Sequence, residues 1–342
     1  MMLETIWFLL WGVLWAVYFA LDGFDLGMGM LKPFLARNEF EKRVIYNAAG
    51  PFWDGNEVWL IAAGGVTFAA FPLAYAAMFS GLYTALMLLL FALIIRGVSF
   101  EFRSKIDSPG WKAFWDGCQT VGSFLPALLL GVAFANIFKG LPLDQNQIMH
   151  GGVIDLLNPY GLAGGVLFVL LFLVHGALWL TIKAEGDLRE RAAATAAKLW
   201  PVLAVVIVLF LAYTFVATKL FDNYFLYPAL FLILVLPVGG LVLTRVFLAA
   251  RKFWLAWGAS AVLIIGTTLF GVVGLFPALL PSSLNPAWSL TATDAGIKAS
   301  SSPLTLAIML GVALVFVPIV LGYQFWVYKT FSFPVTQEDL EY

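Results

Sequence analysis

The chain has 342 residues, 62% of them hydrophobic and 11% charged, with a formal net charge of −1 and a mean hydropathy of +0.94. Water-soluble domains run at about 45–50% apolar and about 25% charged residues, so this composition excludes a soluble enzyme or a nucleic-acid-binding module and requires a bilayer. The one cysteine, Cys118, rules out an intramolecular disulfide and, in its apolar run, reads as a small packing residue.

The N-terminal MMLETIWFLL carries Glu4 and no Lys or Arg ahead of its apolar stretch. That is unlike a cleaved signal peptide, so the first helix is expected to remain. A crossing needs about 20 mostly apolar residues. Nine are predicted, near 6–31, 52–72, 75–98, 113–137, 159–183, 198–218, 225–248, 253–276 and 304–328. The breaks are KPFLARNEFEKR, FPLAY, SFEFRSKIDSPGWK, the 138–158 loop, KAEGDLRERAAATAAK, TKLFDNY, TRVFLAARK and the polar segment 277–303. The break at 72–75 rests on Pro72 and its aromatic neighbours; without it, Trp59 to Ile95 is too long for one crossing. Pro286 and Trp288 make the 277–303 segment an ordered cap rather than a free linker. The expected architecture is an all-α integral membrane protein, one domain over 1–342. Helices 1–4 and 6–9 form two four-helix groups, with helix 5 peripheral.

The basic residues test this count. Exits from odd-numbered helices carry 16 Lys and Arg, exits from even-numbered ones 3. Cytoplasmic loops are the basic ones, which places the N-terminus outside and the C-terminus in the cytoplasm. Such long apolar spans are not outer-membrane strands.

Ionisable residues inside a span are costly and mark candidate functional sites. Helix 1 ends LDGFDLGMGML, where Asp22 and Asp25 share a face, roughly 24 and 28 Å along from Ile6. Helix 2 starts on the same side with PFWDGNEVWL, which repeats the spacing with Asp54 and Glu57. Glu101 follows helix 3 between Arg96 and Arg103. Five carboxylates and two arginines are thus expected at one membrane level. A carboxylate in such an apolar wall can exchange protons near neutral pH. The structural alternatives are that Asp54 caps its helix, that Glu101 pairs with Arg96 or Arg103, and that Asp25 holds the following glycine turn.

Two histidines are present, His150 in an outer loop and His175 well inside helix 5. They differ too much in depth to clamp one iron, and no ligand cluster suited to a metal accompanies them. A haem would need a single axial ligand from His175, Met28 or Met30; a hydrogen-bonded buried histidine and packing methionines are the plainer readings. Gly23, Gly27 and Gly29 suit close helix approach and follow no strand, so they form no nucleotide fingerprint.

Taken together, LDGFDLGMGML (21–31), PFWDGNEVWLIAAGGVTFAAFP (51–72), FEFRSK (100–105), GSFLPALLLGVAFAN (122–136), LLNPYGLAGG (156–165) and FPALLPSSL (276–284) with SLTATDA resemble subunit II of cytochrome bd-type quinol oxidases. The motifs run from helix 1 to the loop before helix 9, in the family's order. The resemblance implies a bacterial inner-membrane respiratory complex that oxidises ubiquinol or menaquinol and reduces dioxygen to water, electrogenically and without copper. It also implies that two haems b and one haem d belong to subunit I, and that this chain binds none and is not catalytic alone. Small single-helix subunits and membrane lipids are further partners, and there is room for a structural quinone. Carried over by residue, Asp54 of the WDGN motif is the position linked to proton delivery from the cytoplasm. Asp22, Asp25 and Trp53 line the same region, with Trp53 a quinone or lipid contact. Glu57 stands where the family often has glutamine, which makes the acidic cluster more anionic here. Two other readings remain at this point: a purely structural membrane partner, and a secondary transporter, which would instead place its polar residues near the midplane.

Overall fold

The computed structural model describes residues 2–341. Its helices are α1 (Met2–Leu35), α2 (Glu39–Ala49), α3 (Trp53–Ala70), α4 (Pro72–Gly81), α5 (Tyr83–Phe102), α6 (Pro109–Lys139), α7 (Val153–Leu156), α8 (Pro159–Lys183), α9 (Gly186–Ala217), α10 (Asp222–Leu226), α11 (Val235–Ala249), α12 (Phe253–Leu275) and α13 (Pro303–Thr330). A 3₁₀ segment, Pro228–Leu234, leads into α11. Among the described residues, eight helical stretches are long and apolar enough to cross a membrane. α3 is not among them, because Asp54, Asn56 and Glu57 fill its first two turns. It nevertheless runs along α1, from the Asn56–Asp25 hydrogen bond to the bond from Trp11 Nε1 to Thr67 Oγ1.

α1 is the central post, packed by α3, α6, α8 and α12. The placement of α8 overturns the expected architecture. α8 is not peripheral: 78% of its apolar stretch is buried, the largest share of any span, against 6% for α13. It contacts α1, α6, α9 and α12, so the bundle is not two groups with a helix to one side. The cause is local. A Cβ on Gly27 would meet the Phe172 carbonyl oxygen at 1.9 Å, and one on Gly176 would meet Met28 N at 2.5 Å. The α1 and α8 backbones therefore touch, and only glycine fits.

Other boundaries move for equally local reasons. The expected break KPFLARNEFEKR contains the start of α2, capped by Asn38, whose side chain accepts from Glu41 N. The charged stretch 186–198 continues α9 rather than forming a loop. The predicted third span is split at Leu82 into α4 and α5. The break near Pro72 is real: Phe71 leaves helical geometry and Pro72 opens α4.

The 277–303 segment is ordered. Strands β1 (Ala278–Leu280) and β2 (Leu290–Thr291) pair antiparallel, and β3 (Ile297–Lys298) joins β2 in parallel. Ser301 ties the cap to the end of α3 through the Ala69 and Ala70 carbonyls. At the opposite end, the Phe333 and Phe331 carbonyls accept from Lys183 Nζ at 2.7 and 2.8 Å, and that of Leu340 accepts from Arg43, so the C-terminal tail lies under the bundle. Large apolar side chains on α9, α11 and α13, such as Val208, Val235 and Phe325, are exposed, a surface made for lipid rather than water. The chain is a multi-pass membrane protein.

Candidate functional site

The sequence places Asp22 and Asp25 one turn apart on α1, and the fold buries both completely or nearly so. Arg96 enters from α5, itself fully buried. Its Nη2 donates to Asp22 Oδ1 at 3.0 Å and its Nη1 to Glu57 Oε1 at 2.5 Å. Asp25 has a different partner. Its Oδ2 accepts from Asn56 Nδ2 at 2.7 Å, and Asn56 Oδ1 accepts from the Tyr328 hydroxyl of α13 at 3.0 Å. Asp25 Oδ1 has no hydrogen-bond partner among the described residues. Four helices thus build one buried cluster with three carboxylates and a single guanidinium. One cation cannot balance three anions in a medium of low dielectric, so the cluster is neutral only when it holds protons.

Not every predicted residue joins. Asp54 lies in the first turn of α3 but is exposed, and it is not a cap: Phe52 holds the cap position and no side chain bonds there. Glu101 is exposed too and pairs with neither arginine, because Arg96 faces Asp22 and Glu57 while Arg103 turns to other carboxylates. Trp53 stacks on Phe100 with ring centroids 5.0 Å apart. Cys118 is half-buried and free.

Arg103 belongs to a second ionic cluster, which the sequence alone did not assemble. Asp116 of α6 accepts from Lys32 Nζ at 2.8 Å, Arg103 Nε at 2.8 Å and Lys42 Nζ at 3.0 Å. Arg103 also forks onto Glu39 at 2.8 and 2.9 Å, and that hydrogen-bonded pairing holds the Glu39 carboxyl below its ordinary range. These bonds tie α1, α2, α5 and α6 together on the side of the C-terminal tail. Asn56, Tyr328 and Asp116 are the residues missed. Asn56 lay inside the WDGNEVW motif, and Asp116 is an ionisable residue inside the predicted 113–137 span, a signal in its own right; Tyr328 carried no local signal.

His175 is buried and satisfied. Its Nδ1 lies 2.6 Å from Ser260 Oγ and its Nε2 2.9 Å from the Ala20 carbonyl oxygen, and its ring stacks on Trp257 at 5.5 Å. His150 is exposed and lies 3.0 Å from an Asp144 oxygen.

Comparison with known proteins decides what this architecture serves. The model of the family "Cytochrome bd terminal oxidase subunit II" matches residues 3–331. The chain belongs to that family. Cytochrome bd ubiquinol oxidase subunit 2 of Bacillus subtilis is 38% identical over 339 residues, covering 98% of both chains. Cytochrome bd-I ubiquinol oxidase subunit 2 of Escherichia coli K12 is 38% identical over 370 residues, covering 99% of this chain and 97% of that one. A bd oxidase structure from Geobacillus thermodenitrificans shares the fold, with a TM-score of 0.78 at 19% identity over 97% of this chain and 99% of that one. Membership makes the chain the second subunit of a cytochrome bd-type respiratory quinol oxidase, and sets aside the transporter reading. The acidic cluster therefore lies in a subunit of a respiratory quinol oxidase.

Proposed function

We propose that this subunit carries protons from the cytoplasm towards a haem-bearing subunit I in the bacterial inner membrane. The observation that carries the reading is the charge arrangement: Arg96 is shared by Asp22 and Glu57, leaving Asp25 buried with only an amide donor. Reducing dioxygen to water takes up protons, and a buried carboxylate without a permanent counter-ion is a group that can alternately hold and release one. Asp25 Oδ1 is that atom. Asp54, exposed at the start of α3, takes protons from the cytoplasmic side. Glu57 and Asp22, fixed by Arg96, set the field in between, and Tyr328 and Asn56 hold the Asp25 carboxyl in place.

Nine crossings support this direction, with α3 as the second despite its polar start. The end that carries Asp54 also carries Lys32, Arg103, Lys183 and the C-terminal tail. The other end carries the β-sheet cap and the Lys298–Glu4 pair. The basic end is cytoplasmic by the positive-inside rule, so the N-terminus lies outside.

Subunit I docks on the α3–α13 side in this reading. Asp54, Val58, Ile61 and Phe68 form an exposed stripe along α3, and α13 is exposed along its length. An acidic residue on the stripe suits a protein partner better than lipid. Glu101, exposed at the same end, adds negative charge at the mouth. Trp53 is a rim contact for lipid or quinone. Single-helix subunits would occupy the remaining apolar surface.

The haem test favours a haem-free chain. Either ring nitrogen of His175 would have to give up a protein partner to bind iron, and Met28 and Met30 are buried in helix packing. The family resemblance assigns two haems b and one haem d to subunit I, together with quinol oxidation and oxygen reduction. An apolar cavity of about 80 Å³, walled by Phe19, Phe134, Phe168 and Phe172, has room for part of the tail of a structural quinone and not for the whole molecule. The hydroxyls there, Thr214, Thr267 and Thr268, all donate to carbonyls four residues back, so the cavity suits an isoprenoid tail rather than a quinone ring.

Infrared difference spectroscopy of the assembled oxidase tests the assignment. A protonated-carboxyl band that changes with turnover should vanish in Asp25→Asn and survive in Asp22→Asn. Persistence of the band in Asp25→Asn removes Asp25 as the proton holder.

A further inference from the structure

On the side of the C-terminal tail, a recess of about 400 Å³ opens between the end of α8, the start of α9, the α11–α12 turn and the tail. Arg189, Arg251 and Lys252 line it, together with Trp254 and Ser332, and Thr181 lies in its wall. No part of the proton route uses these residues. We propose that this recess binds the headgroup of an anionic phospholipid.

The charges are disposed for it. Arg251 pairs with Glu190, a carboxylate at the rim, and its guanidinium lies 5.6 Å from the centre of the Phe253 ring. Arg189 spends only its Nε, on the Ala184 carbonyl at 2.7 Å, which leaves its terminal nitrogens to donate elsewhere. Lys252 is exposed and makes no side-chain hydrogen bond or ion pair among the described residues. Against Glu190, the recess keeps an excess of positive charge, and phosphate is the anion that arginine and lysine pair with most readily.

Position separates a lipid from a free anion. The recess sits where the apolar spans α8 and α12 reach their polar ends, at the level of the headgroups. Trp254 and Leu255, 44% and 51% exposed, continue its wall down the outer face of α12. A tryptophan at that depth is the usual interfacial anchor, and basic pockets between helices on the cytoplasmic side recognise acidic headgroups. An inorganic phosphate would use the cations and leave the apolar wall uncovered; a phospholipid uses both.

The test is native mass spectrometry of the purified oxidase complex, supplied in detergent with phosphatidylglycerol or phosphatidylcholine. Wild type should retain phosphatidylglycerol in preference to phosphatidylcholine, and Arg189→Gln/Lys252→Gln should lose that retention by something of the order of tenfold. Lys252→Gln alone, at an exposed side chain with no structural bond, should give a smaller loss without harming assembly. Lys105→Gln, on the exposed α5–α6 turn, should behave as wild type. Equal retention in the variants and wild type, or equal retention of phosphatidylcholine, overturns the proposal. Displacement of the lipid by millimolar inorganic phosphate would make this a free-phosphate site and overturn it equally.

Discussion

At the scale of single residues, the site turns on what Arg96 does. A buried guanidinium shared by two carboxylates is tolerated because each partner offsets part of the other's desolvation, and removing the shared member leaves uncompensated charge. Arg96→Gln is therefore expected to destabilise the subunit by about 3–5 kcal/mol, seen as a fall in the Tm of the purified complex. An unchanged Tm would mean that Asp22 and Glu57 do not depend on the cation. Part of this was legible in the sequence. The three-residue spacing in DGFD set Asp22 and Asp25 on one face, and WDGNE placed Glu57 at the same level. What was not legible was the pairing. Proximity in sequence suggested Glu101 for Arg96 and Arg103, whereas the fold turns Arg96 to Asp22 and Glu57 and Arg103 to Glu39 and to Asp116 of the next helix. Tyr328 could not be found by spacing, because it meets Asn56 across 272 positions.

At the scale of elements, close packing of α1 on α8 is the most sensitive contact. Gly27→Val would drive side-chain carbons into the Phe172 carbonyl, so it should abolish assembly of the complex, measured as haem recovered after purification; full haem recovery would show that the two helices can part. Why α8 looked peripheral has a physical answer. Lipid tails are as apolar as a protein core, so a helix buried among helices and one facing lipid have the same composition. Only its glycines and His175 distinguished it. The charged start of α9 was hidden for the opposite reason: its charges are solvated beyond the membrane and mimic a loop. The helix there buries Leu188, Ala192 and Ala196 along one face at four-residue spacing, an amphipathic stripe that its many charges conceal. The α2 latch gives a pH expectation. Arg103 lowers the Glu39 carboxyl, so the pair contributes stability above the ordinary glutamate range and loses it only as pH falls through the lowered value. Glu39→Gln should remove that acid-side dependence from a thermal melt of the complex. Identical pH profiles would show that the exposed half of the pair is screened.

At the scale of the whole molecule, the account rests on two ends with different jobs. The polar cap closes one, and in the proposed orientation the basic, acid-lined end opens the other to the cytoplasm. A reporter fused after Tyr342 should work only if it is active in the cytoplasm, and one inserted near Ser300 should behave as external; the reverse pattern would mean an odd error in the number of crossings. The family was legible because its motifs fall where helices meet or end, at places that demand particular side chains. Helices 6 and 7 of the sequence, which face lipid, carry almost no such demands. The central claim is that Asp25 passes protons that oxygen reduction consumes. Asp25→Asn keeps the shape and the contact with Asn56 but cannot titrate. Oxygen consumption per haem, measured on purified wild-type and Asp25→Asn complexes of equal haem content, tests it most directly. The account predicts a ten- to hundredfold loss of turnover, roughly 1.4–2.7 kcal/mol on the barrier; full turnover in the variant would contradict it and leave the buried acids as structure alone.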